Sequence, residues 1–171
     1  ALILLIIWVF QIKMLSYFYR QTKLEELSHV SAEISSAIGD DDIQSRAIDL
    51  AMAYDTCIRV FRADSGHLGN ELVSADIVPA CLIHHLPSSM LGKIYQNALA
   101  GGGEWSTQKK LNAAYGGDQD AATFVSSIKR GISAVSAKIV TVEGEDYIII
   151  LNTEFLPMNS TVRTLSVQFW W

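Results

Sequence analysis

The run ALILLIIWVF at residues 1–10 constrains this chain more than any other stretch, because it carries no charge and no proline. Gln11, Ile12 and Lys13 break it, and Tyr17, Phe18, Tyr19 and Arg20 come next. A membrane-crossing helix needs about 20 apolar residues. Aromatic side chains beside a basic one suit the membrane–water interface. A signal peptide would show a basic leading segment and a small-residue cleavage site, and neither is present. Residues 1–18 therefore read as the outer part of a first transmembrane helix. SVQFWW, with Trp170 and Trp171, reads in the same way as an interfacial belt,. On this reading residues 158–171 begin a second membrane helix, and residues 19–157 form a domain hung between the two.

No proline separates the apolar run from the next two dozen residues. Leu24, Leu27, Val30 (or Ser31), Ile34 and Ile38 recur at spacings of three and four. Lys23, Glu25, Glu26 and Glu33 fill the other faces, the pattern of an amphipathic helix,. One long helix is expected to leave the membrane and run on as a membrane-proximal helix over residues 19–39. Gly39 is placed to end it. Asp40, Asp41 and Asp42 are then expected to cap a second helix from Ile43 to about Tyr54. Calcium binding by this triplet is not expected, since the further oxygen ligands of an EF-hand loop are missing.

Next, TCIRVFRA (56–63) is β-branched and aromatic, DSGHLGN reads as a turn, and ELVSAD as a second strand,. Residues 77–86 are irregular. Pro87-Ser88-Ser89 opens a third helix with Met90, Leu91, Ile94, Tyr95 and Ala98 on one side. Gly101-Gly102-Gly103 comes after that helix and stops it; a phosphate loop would precede one. GEWSTQ is a short strand, and Leu111 to Ala122 a polar loop. Thr123 to Lys129 and Ile132 to Val142 are strands. The turn EGED leads to YIIIL (147–151), apolar throughout and short enough for a central strand covered on both faces,. Pro157 precedes a last helix, Asn159 to Trp171. Strands on both sides of a helical crossing indicate an α+β domain with an antiparallel sheet.

Net charge is −5, without a basic block, which argues against a nucleic-acid partner,. No cofactor motif and no metal site with paired ligands is expected. Cys57 and Cys81 are the two cysteines. They fit one disulfide, allowed outside the cytoplasm and contributing about 3 kcal/mol on the chain-entropy model. They also fit two buried free thiols. Cys81-x-x-His84-His85 offers metal or nucleophile chemistry by residue type, but lacks four spaced ligands or a third orienting group. The plainer reading is a loop with Leu82 and Ile83 buried and histidines at its rim. Arg59 and Arg62 lie on opposite faces of the first strand; one is expected to pair with Asp64 or Asp76, and the other is free to read an anion. Candidate ligand-binding residues are Arg59, Asp76, His84, His85 and Trp105. Trp105 and Tyr115 flank the polar loop. Asn159-Ser160-Thr161 matches a glycosylation sequon, which its place beside the expected second membrane helix makes an unsuitable acceptor.

The succession CIRVFRADSG, ELVSAD, CLIHHL, LGKIYQNALAGGG and LPMNSTVRTLSVQ resembles the extracytoplasmic sensor region of membrane-bound sensor histidine kinases of Gram-positive bacteria. The resemblance covers nearly the whole chain and rests on order and phrasing, with no catalytic signature. It implies a PAS-like domain of the PDC (Cache) type on the extracytoplasmic side of the cell membrane. It also implies a small-molecule or peptide signal and a cytoplasmic response regulator as partner of the full-length kinase. It implies a homodimer through the stripe Leu24, Leu27, Val30 and Ile34; the same stripe is also suited to packing on its own sheet, and the two uses are compatible. No kinase core is present in these residues, so no enzymatic activity is expected of them. The same domain would also serve a chemoreceptor or a cyclase. A membrane-anchored hydrolase using Cys81 or Cys57 with His84 is the reading from another class.

Overall fold

The computed structural model describes residues 2–64, 66–76, 81–106 and 133–154. The polar loop 111–122, Tyr115, the strand at 123–129, the sequon and the last helix lie outside the described residues.

Helix α1 (Leu2–Ala37) is continuous, as the absence of proline and glycine requires,. Its two halves meet different surroundings. Ile3, Ile7, Phe10, Met14, Leu15, Tyr17 and Phe18 are exposed. Leu27, Val30, Ile34 and Ala37 are buried. Among the described residues no helix is long and apolar enough to cross a membrane. Gly39 sits just beyond at φ +103°, the left-handed conformation that ends a helix without a Cβ penalty,.

Helix α2 (Ile43–Tyr54) starts where the acidic triplet predicts, but that triplet does not cap it. Asp42 occupies the N-cap position at φ −99° and ψ 10°, and its side chain makes no capping bond. That backbone is not the extended one that aims an N-cap oxygen at the first free N–H groups. Asp40 instead faces Arg46 at 3.7 Å across exposed surface.

Strands β1 (Thr56–Asp64), β2 (His67–Ala75), β3 (Glu104–Ser106), β4 (Ser133–Val142) and β5 (Glu145–Glu154) form one antiparallel sheet. Its order is β2-β1-β5-β4-β3. Strands β1 and β5, the first and last of the described strands, are thus neighbours in the centre, each covered on both faces. That is why Tyr147–Leu151 is an unbroken apolar run. The β1–β2 connection is much tighter than DSGHLGN implies: Asp64 pairs directly with His67, and Gly66 turns at φ +85°. Three of the residues expected in the turn, His67, Leu68 and Gly69, belong to β2. β2 is a solvent-facing edge strand with two register irregularities against β1, so its polar residues break the alternation that marks a strand,.

Two cores sandwich the sheet. On one face α1 and α2 pack Leu27, Val30, Ile34, Ala47 and Ala51 onto Ile58, Val60, Ile149 and Leu151. The alanines of α2 let its backbone come close to β1 and β2. Gln44 then clamps Ser74 on both sides, donating to its carbonyl (2.7 Å) and accepting from its N–H (3.2 Å). This occupies part of the open edge of β2. The stripe of α1 packs on its own sheet, with Val30 and Ile34 fully buried.

On the other face lie helix α3 (Ser88–Ala100) and the 3₁₀ turn Leu82–His85. They cover Phe61, Val135, Ile148 and Ile150 with Ile83, Met90, Leu91, Ile94, Tyr95 and Ala98. Gly101 ends α3, and no larger residue fits there: a Cβ would stand 2.3 Å from the Glu104 carbonyl oxygen.

Candidate functional site

Period-2 geometry sends Cys57, Arg59 and Phe61 to the α3 face of β1. Cys81, at the start of the 3₁₀ turn, is tied covalently to this face. Cys57 and Cys81 form a disulfide with Cα atoms 6.0 Å apart, within the usual span for such a bridge. Both residues are buried. The bridge fixes the start of the 3₁₀ turn against the central strands. His84, three residues on, donates its backbone N–H to the Cys81 carbonyl.

The turn delivers His84 to Asp76. Nε2 stands 2.6 Å from the carboxylate, with the Ser74 hydroxyl at 3.5 Å. Burial pushes the imidazole below its ordinary range, opposed by the charge of Asp76 and reinforced by Arg59. Burial likewise raises the Asp76 carboxyl, opposed by His84 and Arg59. Each group loses water faster than its partner compensates, and the neutral imidazole is favoured over the ion. The carboxylate oxygen of Asp76 and the two sulfurs all lie within 4.8 Å of one another.

Arg59 is committed elsewhere. Its Nε and Nη2 donate to the two oxygens of Glu71 at 2.7 and 3.0 Å. Its Nη1 donates to the Ile83 carbonyl at 2.9 Å, and the guanidinium lies 4.7 Å over the Phe61 ring. The partner expected was Asp64 or Asp76. Glu71 takes that place because the bulged register brings it opposite Phe61, beside Arg59 on β1. Arg62, on the other face, donates to Glu145 at 2.8 Å. Neither arginine presents its full donor fork to an anion.

The five candidate ligand residues therefore divide. Arg59, Asp76 and His84 gather around the bridge. His85 is on the same turn but exposed. Trp105 sits on β3, at the opposite edge of the sheet, and takes part in a separate feature. That feature is a groove of about 200 Å³ between α1 and the β3–β4 edge. Leu24, Leu27, Ser28 and Ser31 of α1 form one wall, and Trp105, Ser106, Ser136 and Lys138 belong to the other. Among the described residues the Ser31 hydroxyl, buried there, has no hydrogen-bond partner, an arrangement that costs about 1–3 kcal/mol unless something bonds to it.

Ser31 is marked by the sequence only as an alternative to Val30 in the apolar stripe of α1, and Asn152 is not marked at all. Asn152 comes directly after YIIIL, in a strand that runs on to Glu154. Its amide donates to Ser133 Oγ (2.6 Å) and to the Ala134 carbonyl (3.1 Å), which fixes the amide orientation. Its Oδ1, at the register position opposite Cys57, is buried with no partner among the described residues. A polar residue just past a central apolar run was the available signal.

With both sulfurs in one bond, neither cysteine offers the thiolate that a Cys/His hydrolase requires,. No protein-family model, curated protein or solved structure matches the chain.

Proposed function

We propose that this chain is the signal-sensing region of a membrane-bound sensor histidine kinase, a PAS-like domain that reports occupancy of its groove through α1. The observation that carries the reading is that α1 is both a wall of that groove and the element leading away from the domain. Leu24, Leu27, Ser28 and Ser31 line the groove. The same helix extends without a break to Leu2, through turns whose large apolar side chains are exposed. A ligand seated against Ser31 bears directly on a rigid rod. A small shift of packed helices is a recognised switching mode. It requires that the ligand bind one position of α1 better than another.

Three further features support the reading. The sheet, with a long helix on one face and a helical crossing on the other, suits a PAS-like core. The disulfide suits the extracytoplasmic side of a membrane,. The exposed apolar turns of α1 suit a lipid surround,.

The test is autophosphorylation of the full-length protein in proteoliposomes, wild type against Ser31→Trp. The larger side chain fills the groove against α1. The expected result is ATP-dependent labelling of the wild type and a several-fold change in the variant. A full-length protein that is never labelled overturns the kinase reading. Equal labelling of wild type and variant overturns transmission through α1.

A further inference from the structure

Cys57, Cys81, Asp76 and His84 converge from three separate elements, and together they are the ligand types of a zinc site. The two sulfurs and the Asp76 oxygen lie within 4.8 Å of one another, and His84 Nε2 lies 2.6 Å from that carboxylate. Cys81 and His84 stand in C-x-x-H spacing along a single 3₁₀ turn, with the backbone locked by the His84 N–H to Cys81 carbonyl bond. Cys57 comes from a central strand, held on both sides by its neighbours, and Asp76 from the end of β2.

In the oxidised protein the sulfurs are spent on each other. We propose that reduction of the Cys57–Cys81 bridge converts this cluster into a tetrahedral site for a thiophilic divalent cation, zinc above all, so that the domain exchanges a disulfide for a metal. This rests on the folded domain alone and holds whether or not the chain signals to a kinase.

The chemistry balances with one named co-reactant, an external dithiol. It delivers two electrons and two protons to the S–S bond, gives two cysteine thiols, and leaves as its own disulfide. A divalent cation then displaces both thiol protons and forms two metal–sulfur bonds.

Zinc takes sulfur at about 2.3 Å and nitrogen or oxygen at about 2.0–2.1 Å. The sulfurs must therefore part to about 3.7 Å, and Nε2 and the carboxylate oxygen to about 3.3 Å, the edges of a tetrahedron with those bond lengths. His84 Nε2, outside the 4.8 Å group formed by the other three ligand atoms, must also swing toward the sulfurs. The charges suit a cation: two thiolates and one carboxylate carry three negative charges against the two of the metal. Nearby Arg59 is held by Glu71, which offsets its repulsion. Burial of both cysteines excludes competing water, while Asp76 opens the site to solvent.

The experiment uses the whole chain, solubilised in detergent and purified with and without a phosphine reductant under nitrogen. Zinc is measured after dialysis, and cobalt(II) replaces it for spectroscopy. The expected result is one zinc per reduced chain and none above background in the oxidised chain. Cobalt should give sulfur-to-metal charge-transfer absorption and the intense visible bands of a tetrahedral centre. Asp76→Asn and His84→Ala should each weaken zinc binding at least about tenfold, and His85→Ala should leave it unchanged. Should a cysteine variant fail to fold, protection of Cys57 and Cys81 from iodoacetamide by zinc in the wild type reads the same contact. The proposal is overturned if the reduced chain binds no stoichiometric zinc, if binding ignores Asp76 and His84, or if reduction alone unfolds the chain by circular dichroism.

Discussion

On the α1 face of the sheet the side chains that meet the strands are aliphatic or small. Val30, Ile34, Ala47 and Ala51 meet Ile58, Val60, Ile149 and Leu151. On the α3 face an equally apolar centre is rimmed by chemistry: a disulfide, an arginine–glutamate fork, a histidine–aspartate pair and a buried amide oxygen. The first face is held by burial, a diffuse term proportional to area. The second is held by a few specific bonds, each responsive to one condition: redox state, pH or charge. A helix that is to report on a ligand gains from the first kind of contact, which transmits displacement as a unit. A site that is to respond to chemistry gains from the second.

The largest expected effect tests the burial face. Ile34→Ala removes a side chain with no exposed surface, and should cost about 2–5 kcal/mol in urea unfolding,. A loss below about 1 kcal/mol would detach α1 from the core and end the comparison. Next comes the bridge. Cys57→Ser with Cys81→Ser should cost about 3 kcal/mol, with α1-face protection from hydrogen exchange largely retained under native conditions. Equal loss of protection on both faces would show that the staple serves the whole sheet.

Arg59→Ala strands Glu71 and the Ile83 carbonyl, and should cost roughly 1–3 kcal/mol, less than the bridge,. Thermal unfolding at high and low salt separates the ion-pair share. Smaller still is a pH effect at His84. Because its folded pKa lies below the ordinary value, the unfolded chain takes up a proton first as pH falls through about 6.5,. Stability on this account is full above that pH and is lost on acidification,. Asp76 has the opposite sign and acts near the carboxylate range, since its raised pKa favours the protonated form in the fold. A His84→Gln variant should therefore flatten the stability profile between about pH 7 and 5. An unaltered slope would place the titrating group elsewhere. Arg62→Ala, an exposed pair with Glu145, should change stability within error,.

Much of the fold was legible because it depends on local signals. The spacing of Leu27, Val30 and Ile34, the start at Ile43, the buried side of α3 and the centrality of YIIIL are each written in the helical period or in unbroken apolar runs. The β2 edge was misread because bulges and solvent on one side erase the strand period. The cap at Asp42 failed because residue type cannot fix the backbone angles that aim a side chain. The site was half legible: Cys57, Cys81, Asp76 and His84 were all marked by residue type, yet the sequence left the disulfide and the free thiols equally open.

The sequence by itself determined which residues seek the interior and where helices begin and end, since those depend on side-chain chemistry within a few residues. Tertiary structure alone decided who meets whom. It placed β1 beside β5, which brings Asn152 opposite Cys57. It gave Arg59 to Glu71 and separated Trp105 from the histidines by the width of a sheet. Pairing across a sheet is set by register and strand order. Both are choices about distant segments that no local pattern encodes.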